Sequence, residues 1–156
     1  MGLDMYLYKK TYVKKWEHIE DDKQFHVSVT RGGNPYASID SERVCYIVEE
    51  VGYWRKFNAL HNWFVQNCQD GNDNCGEYYV GDDKLKELVE ILRKVIKYKD
   101  SVDSEVLGDL LPTASGFFFG GTNYDEWYFS DVQDTIELVD KLLLEDGGDF
   151  YYHSSW

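Results

Sequence analysis

The chain opens on a strict alternation, with Leu3, Met5 and Leu7 set against Asp4, Tyr6 and Tyr8. A period of two is the mark of a half-buried strand, so the first residues already require an apolar layer on one side of a sheet. The C-terminal segment DFYYHSSW repeats the pattern, with Phe150 and Tyr152 on one face and Tyr151 and His153 on the other. Between the two ends the period changes: Leu85, Leu88, Val89, Leu92, Val95 and Ile96 recur at spacings of three and four, as on one face of a helix. Strands and helices in the same chain, with hairpin-like neighbours among the strands, predict an α+β fold.

The remaining segments fill in that outline. Gln24 to Thr30 alternates Phe25, Val27 and Val29 with polar residues and reads as a second strand, broken by Arg31-Gly32-Gly33-Asn34-Pro35. Arg43 to Val51 is β-branched and apolar enough for a central strand, which Gly52 would end. From about Trp54 to Cys68 a helix is predicted, followed by a short strand at Glu77 to Val80 and a second helix capped by Asp82 or Asp83. A loop of roughly 16 residues then runs through Leu110, Leu111 and Pro112, longer than most connections. The segment SGFFFGGTNYDEWYF reads as a hairpin, Gly116 to Gly120 returning as Asp125 to Phe129. Ser130 and Gln133 suggest a capping box opening a third helix, with Val132, Ile136, Val139, Leu142 and Leu143 turned inward and Gly147 and Gly148 as its stop. The sum is one domain, residues 1–156, built on a mainly antiparallel or mixed sheet with about three helices packed on it.

At 156 residues, a domain buries roughly 70% of the surface that its unfolded chain exposes, and needs neither metal nor disulfide to fold. Cys45, Cys68 and Cys75 are odd in number and lack CxxC spacing, which fits buried thiols in a reducing compartment. With no apolar run of membrane-spanning length and no signal-peptide pattern at the start, a cytoplasmic location is expected. The stretch QDGNDNCGE begins like a calcium loop, but Cys75 stands where the sharp turn needs glycine and Gly81 where the bidentate glutamate belongs. No metal and no cofactor are therefore expected.

Formal net charge is −13, and of 29 acidic residues 13 lie from Asp100 to Trp156, a segment with a single basic residue, Lys141. Such a chain has no basic field for a phosphate backbone, so nonspecific nucleic-acid binding is not expected. A solvated acidic face explains the imbalance; a surface that imitates nucleic acid and occupies a basic host protein is the sharper alternative.

Candidate site residues concentrate between Val51 and Cys68. Arg55 and Lys56 form a cationic pair suited to phosphate or carboxylate, Asn58, His61 and Asn62 can read polar edges, and Trp54, Tyr124, Tyr128 and Trp156 can stack on a ring. The same side chains could form an internal hydrogen-bond lattice instead. An enzymatic alternative would pair His61 or His153 with Asp125 or Glu126 as acid and base, although no catalytic motif supports it. Aromatic residues make up 17% of the chain, an excess that suits an aromatic pocket or a homo-oligomer interface.

The strings MGLDMYLY, EVGYWRKFNALHNWFV, LLPTASGFFFGGTNYDEWYF and FYYHSSW together resemble a family of uncharacterised bacteriophage and prophage proteins. That resemblance covers most of the chain and implies a context, not an activity: a small accessory protein in an infected or lysogenic bacterial host, where countering host defence is a common role. Joined to the side chains, it leads to the expectation of a small-molecule-binding protein that sequesters an anionic, nucleotide-derived ligand such as a host immune signal. A hydrolase or transferase and an acidic protein inhibitor are the alternatives.

Overall fold

The computed structural model describes residues 2–156. Its elements run β1 (Asp4–Tyr12), β2 (Thr30–Arg31), β3 (Asn34–Pro35), β4 (Tyr46–Arg55), α1 (Asn58–Cys68), β5 (Glu77–Val80), α2 (Asp82–Val95), α3 (Ser104–Leu110), α4 (Glu126–Leu144) and β6 (Asp149–Ser155). The fold is α+β, as expected. The main sheet has the order β4-β1-β6-β5 and every pairing in it is antiparallel. β2 and β3 form a separate two-residue hairpin. No helix among the described residues is long and apolar enough to cross a membrane.

Both alternating termini form the centre of the sheet, where Met5 faces Ser154 and Leu7 faces Tyr152 across β1 and β6. Leu3, Met5, Leu7, Phe150 and Tyr152 are buried on one face, and the four helices supply the layer that covers them. Phe64 of α1 stacks flat on Tyr152, ring centroids 4.0 Å apart. Burial of a ring of that size is worth about 2–3 kcal/mol. α2 contributes the predicted stripe, with Leu85, Leu88, Leu92 and Val95 fully buried. Lys9 falls on the same inward face, and its ammonium escapes by reaching Glu145 beyond the end of α4 at 2.9 Å.

The other face is partly exposed. Tyr6, Tyr8, Tyr53, Tyr151 and His153 stand side by side there, with Tyr6 5.3 Å from Tyr53 and 6.0 Å from the His153 ring. Four of the 13 tyrosines are thus on this partly exposed face.

Several expected elements are displaced. Residues 24–29 form no strand and join neither edge of the main sheet, and Thr30 pairs with Pro35 in the small hairpin. The strand expected over Arg43 to Val51 starts at Tyr46, runs on to Arg55, and lies at the sheet edge instead of its centre. Gly52 does not end it. A Cβ at that position would come within 2.8 Å of the Trp54 ring and 3.0 Å of Leu138, so the glycine is there to let an indole lie across the strand. The long loop before Pro112 contains the short helix α3, capped by the Asp103 carboxylate. The predicted hairpin is absent: Gly116 to Tyr124 is an irregular strap, and Asp125 caps α4 through the Tyr128 amide at 3.0 Å, a full turn before the predicted start at Ser130. α2 begins with Gly81 as its N-cap and no side-chain cap, leaving Asp82 and Asp83 in its first turn.

Candidate functional site

The helix expected to start at Trp54 begins only at Asn58, and the intervening hinge creates the site. Trp54 and Arg55 are the last residues of β4. Lys56 then takes a positive φ of 57°, its amide donating to the Leu3 carbonyl at 2.8 Å, and the buried Phe57 turns the chain into α1. A β-carbon on Gly120 would lie 3.1 Å from the Lys56 Cβ, and Gly120 itself has φ +83°, so glycine is required for the strap to cross the hinge this closely.

Asn58 fixes that crossing. Its buried amide donates to the carbonyls of Phe119 (3.0 Å) and Gly121 (2.8 Å), while its Oδ1 accepts from the Ala114 amide at 2.9 Å. Leu3 adds a backbone bond to the Phe118 carbonyl, and the Thr113 hydroxyl donates to the Thr122 carbonyl across the base of the strap. Asn58 is therefore a clamp with every polar atom used, not a group available to a ligand.

Between hinge, strap and the first turns of α4 lies a cavity of about 370 Å³, lined by Arg55, Lys56, Phe57, Asn58, Thr113, Gly120, Gly121, Asn123, Asp125, Trp127, Tyr128 and Asp131. Its β4 side is basic. Arg55 is largely exposed and its only ion-pair partner is Asp4 at 3.8 Å, while Lys56 pairs with no carboxylate among the described residues. Its α4 side is acidic. Asp125 caps the helix, and burial, helped by the neighbouring Asp134 and Asp125, pushes the Asp131 carboxyl up to about 6. Trp127, 73% exposed, presents a free indole, whereas Tyr128 is buried, donates its hydroxyl to the Leu111 carbonyl at 2.8 Å, and has its pKa raised by burial.

Of the residues expected to converge, Arg55, Lys56, Asn58 and Tyr128 do line one opening. The others do not join them. Trp54 is buried and donates its indole N–H to Thr135 at 2.9 Å, which itself bonds the Asp131 carbonyl. Tyr124 packs edge-on against Tyr128, Asn62 borders a separate recess with Trp63 and Gln66, and Trp156 lies in another cleft with Phe117 and Phe119. Trp127, Asn123 and Asp131 were missed; reading residues 125–129 as a strand hid that a cap at Asp125 opens a helix there.

His61 is 1% exposed and has both ring nitrogens occupied, Nδ1 by the Tyr152 hydroxyl at 2.7 Å and Nε2 by Asp73 at 3.0 Å. Its ring also packs edge-on to Phe119. His153, next to Tyr152 on β6, points to the opposite face of the sheet, and Asp125 and Glu126 begin α4, where neither histidine lines the cavity beside them. No acid–base pair of the anticipated kind is assembled. Two acids of the last third are also paired within the chain, Asp140 with Arg93 and Glu145 with Lys9.

Compared with known proteins, the chain matches no family, no curated protein and no solved structure.

Proposed function

We propose that the protein binds a small nucleotide-like anion in the cavity between the β4–α1 hinge and the start of α4. The observation that carries this reading is the division of one cavity of about 370 Å³ into a basic wall, Arg55 and Lys56, and an acidic wall, Asp125 and Asp131, with the Trp127 indole free beside them. A ligand suited to both walls carries an anionic group and, at its other end, hydrogen-bond donors on a flat ring. A phosphorylated nucleoside whose base bears amino groups has that pattern: guanidinium and ammonium meet phosphate, carboxylates accept from the base edge, and the indole stacks on it. The volume is at the small end of the range for ligand sites, which favours a compact nucleotide over an extended one.

The resemblance to phage proteins gives this binding a purpose, the removal of a host nucleotide signal. Sequestration is favoured over turnover because the histidines stand outside the cavity and the groups within it offer recognition without an oriented nucleophile. Isothermal titration against cyclic nucleotides and ADP-ribose derivatives is the test, with the ligand recovered after denaturation to see that it is intact. Binding should occur and weaken at least tenfold in a combined Arg55→Ala, Lys56→Ala variant, and about three- to tenfold in Trp127→Ala. Absence of heat for every nucleotide, or equal affinity in the variants, would overturn the reading.

A further inference from the structure

A second cleft lies on the other flank of the strap, away from the hinge. It has a volume of about 370 Å³, and Phe117, Phe118, Phe119 and Trp156 form its aromatic walls. One charged group reaches it, the carboxylate of Asp73, whose side chain keeps 28% of its exposure.

That carboxylate is held on both oxygens. Oδ1 accepts the Trp156 indole N–H at 3.0 Å and Oδ2 accepts from His61 Nε2 at 3.0 Å. His61 is itself anchored from the other side, its Nδ1 2.7 Å from the hydroxyl of the fully buried Tyr152. Two side chains, Trp156 and His61, thus hold Asp73 in orientation. The cleft thus presents a carboxylate held in place beside π faces, with no Lys or Arg paired to it among the described residues.

We infer that the Asp73–Trp156 cleft is a binding site for an organic cation, an alkylammonium or guanidinium group. Such a group gains a charge-assisted hydrogen bond from a carboxylate already held in place, together with the attraction of cations for aromatic faces. An anion would be repelled, and a neutral ring would desolvate Asp73 without return. Phe117 supports this. It is 95% exposed, its ring edge-on to that of Phe118, and so contributes little burial to the fold. The negative field of the whole molecule would draw cations toward the opening. The cation can be a free amine or the tip of a Lys or Arg side chain on another protein, and the two sources are separable by experiment. This site shares no side chain with the nucleotide cavity, so either can fail alone.

The test uses the full chain and three probes: choline, n-butylammonium, and a Gly-Lys-Gly peptide blocked at both ends. Binding is followed by the fluorescence of Trp156 against a Trp156→Phe control and by NMR shifts of the strap amides. Saturable binding of a cation is expected, weaker as salt is added, with choline favoured over its uncharged carbon isostere by about tenfold or more. Tighter binding of the blocked peptide than of butylammonium assigns the site to a protein side chain; the reverse order assigns it to a free amine. Asp73→Asn should weaken the preferred cation at least tenfold. Should that variant fold poorly, Phe117→Ala at its solvent-exposed position keeps the fold and should weaken binding by roughly three- to tenfold. Equal binding of choline and its neutral isostere, no saturable binding of any probe, or full affinity in Phe117→Ala would overturn the proposal.

Discussion

Replacement of Asn58 tests the clamp on which both cavities depend. The amide makes three hydrogen bonds, to the carbonyls of Phe119 and Gly121 and from the amide of Ala114, and is 3% exposed. At about 1 kcal/mol net for each, Asn58→Ala should lose about 3 kcal/mol. For a chain of this length that is a fall of roughly 6–12 °C in the thermal midpoint. Asn58→Asp separates the hydrogen-bond argument from simple packing, because size and the bond from Ala114 are kept while two donors become acceptors facing two carbonyls. Near neutral pH this variant should be no more stable than the alanine. Its buried carboxyl resists ionisation, so its folded pKa lies above the unfolded value of about 3.9. Stability is then lost as pH rises between the unfolded and the folded pKa, and regained on acidification, when the carboxyl O–H can donate to one carbonyl. Thermal melts by circular dichroism at several pH values, with chymotrypsin cleavage after the strap phenylalanines as a local readout, measure both effects. A midpoint for Asn58→Ala within about 2 °C of the parent, with a strap equally resistant to cleavage, would refute the clamp.

Two further substitutions have signs fixed by the structure. Asp131, pushed up to about 6 by burial first and then by Asp134 and Asp125, holds its proton in the folded state where the unfolded chain has released it, so stability falls as pH rises from about 4 to about 6. Asp131→Asn should flatten that slope in denaturant titrations and stabilise the protein near neutrality by about 1 kcal/mol, a figure reduced because the group is half-exposed. At Gly52, alanine would place its Cβ 2.8 Å from the Trp54 ring and 3.0 Å from Leu138. A loss of about 1–3 kcal/mol is expected in the same titrations, and an unchanged midpoint would mean that the indole does not lie across β4.

Periodic segments were legible in the sequence because each can be satisfied by one burial pattern. The alternation at Leu3–Leu7 and at Phe150–Tyr152 and the stripe of α2 all face the core as read. Long-range demands were not legible. Gly52 looked like a stop because glycine ends strands, yet the constraint comes from the Trp54 ring two residues on. Residues 24–29 alternate, but alternation makes a strand only where a sheet edge accepts it. The Phe-rich strap reads as extended, yet its path is set by Asn58, about sixty positions earlier in the chain, which donates to its carbonyls. As for the site, the cationic pair at Arg55 and Lys56 was found from residue type, whereas its opposite wall depended on where α4 begins. Of the two tyrosines expected around a ligand, Tyr128 lines the cavity and Tyr124 packs edge-on against it, while Tyr6, Tyr8, Tyr53 and Tyr151 stand on the outer face of the sheet.

His61 decides between the catalytic and the structural account of the most polar part of α1. It joins Asp73, in the loop after the helix, to Tyr152 at the centre of the sheet, and neither His61 nor Tyr152 is reachable by a substrate. The single change Tyr152→Phe leaves Nδ1 without a partner in a buried place, and His61→Gln keeps a donor for Asp73 but leaves the phenol unpaired; each should cost about 1–3 kcal/mol. In the double variant the second loss has largely been incurred by the first, so the sum of the single effects should exceed the double by about 1–2 kcal/mol. A double-mutant cycle from guanidinium denaturation measures this coupling directly. Strict additivity would mean that the 2.7 Å contact carries no energy, and with it would go the argument that Tyr152 anchors His61 and, through it, Asp73.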